Sequence, residues 1–93
     1  MRVISDIPLR QFCERHPEAR ESIQAWRAIV LKTTFPDFAS FKKAFNAIDK
    51  VGNYYVFDIG GNKYRLIAAI HFDTQKLFVR EVFTHREYDK WKP

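Results

Sequence analysis

The strongest constraint in this chain is a change of period. Apolar residues recur at helical spacing up to about Asn46, and after about Asn53 they alternate. A chain that changes from a helical to a two-residue repeat has to pack helices against a sheet. In the first half, Leu9, Phe12 and Cys13 share one side of a helix that starts at Ile7 and Pro8, with the carboxylate of Asp6 in place to cap it. Pro17 then occupies a first helical turn, and Ala19, Ile23, Trp26 and Val30 line one face of a second helix. Thr33 to Asp37 interrupts this pattern at Pro36, after which Phe38, Phe41, Phe45 and Ile48 predict a short third helix. Met1 to Ile4 is an apolar opening compatible with a strand.

Three strands are predicted in the second half, namely Tyr54 to Ile59, Lys63 to Phe72 and Leu77 to Thr84. Gly60-Gly61 suits a tight hairpin turn rather than a phosphate loop, because no helix follows it. A two-residue turn at Thr74-Gln75 pairs Phe72 with Leu77, Leu66 with Phe83 and Arg65 with Thr84. That register places Tyr55, Phe57, Ile59, Tyr64, Leu66, Ala68, Ile70, Phe72, Leu77, Val79 and Phe83 on the core face, with Glu81 its only charge. The opposite face holds Asp58, Lys63, Arg65, His71, Arg80 and Thr84 among Tyr54, Val56, Ile67, Ala69, Phe78 and Val82. His85 to Trp91 continues from the last strand as one or two helical turns, with His85 and Tyr88 on one side. The expected architecture is α+β: N-terminal helices on one face of a small antiparallel sheet, plus a short C-terminal helix, in a single domain over residues 1–93.

Sixteen Lys and Arg against eleven Asp and Glu give a net charge of +5, which favours a polyanionic partner. The single cysteine, Cys13, permits no internal disulfide and no cysteine-built zinc site, and its apolar helical setting argues for a structural residue. Three histidines without close ligand spacing predict no metal site, and no cofactor is expected. No run approaches the roughly 20 apolar residues of a membrane span, and the N-terminus has no signal pattern, so a cytosolic protein is expected.

Arg65 and Arg80 on neighbouring strands, with Lys63 beside them, suit a phosphodiester, since guanidinium forks bind phosphate bidentately. Tyr54, Phe78 and Tyr88 are available to stack on unpaired bases. Metal-free RNA cleavage needs a base for the ribose 2'-hydroxyl, a cation for the crowded phosphate and an acid for the leaving oxygen. His85, with Arg65, Arg80 and Tyr88 or Lys63, offers all three on one face. His16 and His71 are read as structural or surface residues. Glu81 and Asp58, expected on opposite faces, do not form a paired carboxylate dyad.

Several segments are also similar to a known family. Val51-Gly52-Asn53 through Tyr55-Val56-Phe57, then Gly61-Asn62-Lys63-Tyr64-Arg65-Leu66, and above all Thr84-His85-Arg86-Glu87-Tyr88-Asp89-Lys90, resemble the HigB toxin family of the RelE superfamily. Met1-Arg2-Val3-Ile4-Ser5, His16-Pro17 and Ala25-Trp26 fit the same resemblance, which covers nearly the whole chain. It implies a RelE-like fold and a type II toxin that cleaves translated mRNA in the ribosomal A site. It also implies a HigA-type helix-turn-helix antitoxin as partner, with operator DNA reached only through the toxin-antitoxin complex. Matched position by position, the resemblance points to Arg65, Arg80, His85 and Tyr88 as catalytic. Asn62, Lys63, Thr84 and Lys90 are the expected RNA contacts, while Glu87 fits a salt bridge. The competing function is a non-catalytic RNA-binding module that uses the same basic face.

Overall fold

A computed structural model describes all 93 residues. Strand β1 (Arg2–Ile4) leads into helix α1 (Ile7–Arg15), a 3-10 turn over Pro17–Ala19 and helix α2 (Arg20–Lys32). Helix α3 (Phe38–Ala44) precedes strands β2 (Ile48–Val51), β3 (Tyr54–Ile59), β4 (Tyr64–His71) and β5 (Lys76–Thr84), and a final turn of helix, α4, spans His85–Tyr88. The five strands form one sheet in the order β1-β5-β4-β3-β2. The fold is therefore α+β, but the sheet is mixed rather than antiparallel. The segment at Met1 to Ile4 lies parallel to β5, with Val3 beside Leu77. No hairpin joins these two strands, since the chain leaves β1 through the helices and enters the sheet again at its opposite edge, β2.

Helix faces follow the spacing that predicts them. Leu9, Phe12, Cys13, Ile23, Trp26 and Val30 are buried in one continuous core with Phe57, Leu66, Ala68 and Leu77 from the sheet. Trp26 meets Phe57 edge-on at 5.3 Å between centroids, and Phe35 stacks on Phe41 at 4.0 Å. Asp6 stands at the first helix N-terminus without capping it, since its carboxylate accepts a bond from Arg27 at 3.3 Å instead. Asp37 does cap α3, in a reciprocal box with Ser40 that follows the break at Pro36.

Two expectations about element boundaries are corrected. Ile48 belongs to strand β2, paired with Phe57, and not to the third helix; its offset from Phe45 fits a helical stripe equally well, which conceals the strand. The connection between β4 and β5 is four residues, Phe72 to Gln75, and not a two-residue turn. Gln75 adopts a positive φ of 54° there, and its side-chain amide bonds to the Phe72 and Phe35 carbonyls.

The longer loop and one bulge reset the register. Ile70 pairs with Leu77 and Ala68 with Val79, but Ile67 pairs with Glu81 and Arg65 with Phe83, so Arg80 is the extra residue of β5. Beyond the bulge the strand changes phase. Val82 is buried in the core in place of Phe83, while Glu81 is exposed rather than being the core's single charge. Phe83 moves to the open face opposite Arg65.

Candidate active site

The open face is organised by one pair. Asp58 on β3 and Arg65 on β4 are direct cross-strand partners, which puts both side chains on the same side of the sheet. Arg65 Nε donates to Asp58 Oδ1 at 2.8 Å. The turn between these strands supplies the next ligands, because Gly60, Gly61 and Asn62 all adopt positive φ and curl the chain back over the guanidinium. Only glycine suits position 60, where an added Cβ would lie 2.9 Å from the Tyr64 ring. Arg65 Nη1 donates to the carbonyls of Asn62 at 3.1 Å and Tyr64 at 3.2 Å. Nη2 donates to the Asn62 side-chain oxygen at 2.7 Å and faces His85 Nδ1 at 2.8 Å.

A guanidinium carries five N–H hydrogens, and these five contacts account for all of them. Arg65 is also the one charged side chain among the buried residues, at 7% exposure. A charge removed from water is tolerated only when paired and fully hydrogen-bonded, and this site meets both conditions. The expected free fork for phosphate is thus not what β4 presents. The guanidinium is occupied by the protein itself, and the motif's Asn62 is one of its ligands through both of its oxygens, leaving the exposed side-chain NH2 without a partner in the chain.

The C-terminal tail docks onto this knot. The His85 amide donates to the Lys63 carbonyl at 2.9 Å, bringing the ring to Arg65. Thr84 accepts from the Glu87 amide at 3.2 Å, and Glu87 Oε1 accepts from the Thr84 amide at 2.8 Å, a reciprocal capping box that starts α4. The Thr84 hydroxyl oxygen is therefore engaged as a helix cap, while its hydrogen has no partner within the chain. Tyr88 lies under the guanidinium, with its ring centre 5.7 Å from the Arg65 carbon. Trp91 stacks on Tyr88 at 5.7 Å and meets Tyr54 edge-on at 5.8 Å, tying the tail to β3.

Arg65, His85, Tyr88 and Asn62 are thus brought together, whereas Arg80 stands apart. Its guanidinium sits over Phe78 at 5.4 Å and borders a groove of about 270 Å³ with Tyr54, Ile67, Glu81, Trp91 and Lys92. Arg80, Lys63 and Lys90 are all exposed. The side chain of His85 is 54% exposed, with Nε2 turned to solvent 3.9 Å from Asp89. The arrangement is a solvent-facing imidazole held from behind by a buried cation, beside an aromatic groove rimmed with free cations.

Three contributors are not apparent from sequence. Alternation puts Asp58 on the correct face without a partner, Glu87 fits a salt bridge there, and Trp91 has no assigned role. The signal for Glu87 is nonetheless present, because Thr-x-x-Glu after a strand is a capping box. Asp58 follows from the register once the turn length is known. Cys13, on the far side, is buried, and desolvation pushes its thiol above the ordinary value against a smaller opposing effect of the Arg20 charge. That keeps it protonated and structural. No group of three or more His, Cys, Asp or Glu side chains is clustered as a metal ion requires.

Known proteins supply a family for this geometry. Residues 19–91 match the family model described as HigB toxin, the RelE-like toxic component of a toxin-antitoxin system. The chain is 34% identical over 92 residues to the mRNA interferase toxin HigB of Escherichia coli strain K12, covering 96% of this chain and 88% of the relative. An mRNA interferase HigB from Shigella flexneri gives the same identity and coverage. Another, from Escherichia coli O6:H1, is 30% identical over 93 residues, covering 97% of this chain and 90% of the relative.

Proposed function

The chain belongs to the HigB family of RelE-like toxins, and from that premise we propose that it is an mRNA interferase, a toxin that stops translation by cutting messenger RNA. The observation that carries this reading is the solvent-facing His85 imidazole fixed by Arg65 and flanked by Tyr88 on a basic, aromatic sheet face. Such a face is suited to a single strand: Arg80, Lys63, Lys90 and Lys92 attract phosphates, and the Tyr54–Trp91 groove offers stacking surface for a base.

In the proposed reaction the ribose 2'-oxygen forms a bond to phosphorus and the bond from phosphorus to the 5'-oxygen breaks. The proton lost from the 2'-hydroxyl ends on the 5'-oxygen. Negative charge develops on the phosphoryl oxygens in between, where exposed cations and a held N–H group stabilise it. His85 and Tyr88 touch the reacting phosphate, Arg80 holds a neighbouring part of the strand, and Arg65 and Asn62 act from behind. No protein ligand set for a metal is invoked.

In this reading the substrate is mRNA under translation in the ribosomal A site. The controlling partner is a HigA-type helix-turn-helix antitoxin, with operator DNA bound only through that complex. All of this takes place in the cytosol. No helix is long and apolar enough to cross a membrane.

Induced expression followed by mapping of mRNA 5' ends tests the reading. Wild type should arrest growth and cut translated messages, and a folded His85→Ala variant should do neither. Salt-sensitive RNA binding by wild type with every message intact would favour the binding-module alternative, for which the aromatic groove at Arg80 would suffice.

A further inference from the structure

We propose that Asp58 is a positioning residue whose carboxylate, acting through Arg65, locks His85 in the tautomer that bears its hydrogen on Nε2, so that the ring presents a donor and not a base to the substrate phosphate. This rests on the interferase reading for its chemical consequence, but the lock itself follows from the contacts. A guanidinium has hydrogens and no acceptor, so Nδ1 of His85, 2.8 Å from Arg65 Nη2, is the accepting nitrogen. The ring hydrogen then resides on Nε2, the nitrogen turned to solvent near Asp89.

The guanidinium cannot swing away from this duty. Its Nε is held by Asp58 at 2.8 Å, and Nη1 and the second Nη2 hydrogen by Asn62 and the Tyr64 carbonyl. Asp58 is the only negative group bound to it, and it sits directly across the strand pair where both side chains are fixed by the sheet. The charged groups facing the imidazole are Arg65 from β4 and Asp89 from the tail. A base at Nε2 would need the hydrogen on Nδ1, which would point it at the guanidinium.

The chemical role of His85 changes accordingly. Nε2–H donates a hydrogen bond to a non-bridging phosphoryl oxygen as its charge grows, with no net proton given or taken by the ring. The proton of the 2'-hydroxyl then passes to solvent water and the leaving 5'-oxygen takes one up from solvent, so the step balances without the lone pair of His85. Asp58 touches neither substrate nor His85, so its removal lowers turnover without weakening RNA binding.

Nitrogen-15 NMR of the histidine rings, with His85 assigned by a His85→Gln variant, tests this on the intact chain at neutral pH. Wild type should show His85 Nδ1 as a bare ring nitrogen and Nε2 as an N–H nitrogen. Asp58→Asn should mix the two tautomers and reduce kcat roughly tenfold to a hundredfold at unchanged KM. Asn62→Gly, which keeps the positive φ and removes one acceptor, should do the same more weakly, and serves if Asp58→Asn does not fold. A hydrogen on Nδ1 in wild type, or an unchanged ring spectrum and kcat in both variants, overturns the proposal. The spectra require no substrate, so a chain with the predicted tautomer that cuts no RNA would sink the interferase reading while leaving the lock intact.

Discussion

Arg65 and Arg80 stand on adjacent strands of one sheet face, and in sequence they look interchangeable. Arg65 is buried, with every hydrogen donated to a protein acceptor, whereas Arg80 is exposed at a bulge with its guanidinium resting on Phe78. The first is held on all sides by the protein, and the second is the one left open to solvent. The difference comes from what lies opposite each residue: a carboxylate and a curled turn for Arg65, and open solvent for Arg80. A positive charge on a binding face is therefore no guide to its task until its acceptors are counted.

The comparison is broken most directly at Arg65. Arg65→Ala should cost about 3 kcal/mol or somewhat more in chemical denaturation, because it strands Asp58 and empties a packed site, and should reduce cleavage at least a hundredfold. A loss of stability below about 0.5 kcal/mol would place Arg65 with the surface charges. Next in size, Thr84→Ala should cost about 1 kcal/mol by removing the cap of α4, and should loosen the tail that seats His85 and Tyr88. Amide exchange at Glu87 should rise while the β4 amides stay protected.

Arg80→Ala should leave stability within about 0.5 kcal/mol of wild type and act on RNA instead. The slope of log K against log salt for a single strand should shrink by about 0.7, as expected when one phosphate fewer is neutralised on binding. The smallest effect separates the core from the open face. Burial raises both Cys13 and Tyr64 above their ordinary values, with Arg20 partly opposing the first and Glu18 reinforcing the second. A group whose folded value is raised contributes stability that is complete below its unfolded value and fades as pH rises through the folded one. Stability should thus begin to fall above about pH 9, and Cys13→Ala should blunt the early part of the decline.

What is legible in the sequence is whatever repeats locally. The faces of α1 and α2 come from spacing alone, because burial of Phe12, Ile23, Trp26 and Val30 depends only on the helical period. Strands β3 and β4 follow from alternation to within a residue, but the turn between them is longer than the paired glycines suggest, running from Gly60 to Lys63 with Asn62 also at positive φ. The bulge at Arg80 is hidden because Val82 and Phe83 are both apolar, so alternation reads equally well through either. The candidate site is legible as a set of residues and not as an arrangement. His85 lies twenty positions from Arg65, and nothing local says that its ring accepts the guanidinium's last hydrogen. That Thr84 and Asn62 also bind the Glu87 amide and the Arg65 guanidinium is not legible in the sequence, because the folded tail and turn set those contacts.

The two tryptophans mark this division optically. Trp26 is sealed in the core against Phe57, while Trp91 sits half-buried between Tyr54 and Tyr88 at the edge of the groove. Their emission therefore answers two different questions from one cuvette: the core fluorophore follows the cooperative loss of the fold, and the rim fluorophore is the one an incoming base would quench. A Trp91→Phe chain isolates the first signal and a Trp26→Phe chain the second, so the assembly of the fold and the occupation of its face can be timed separately in the same molecule.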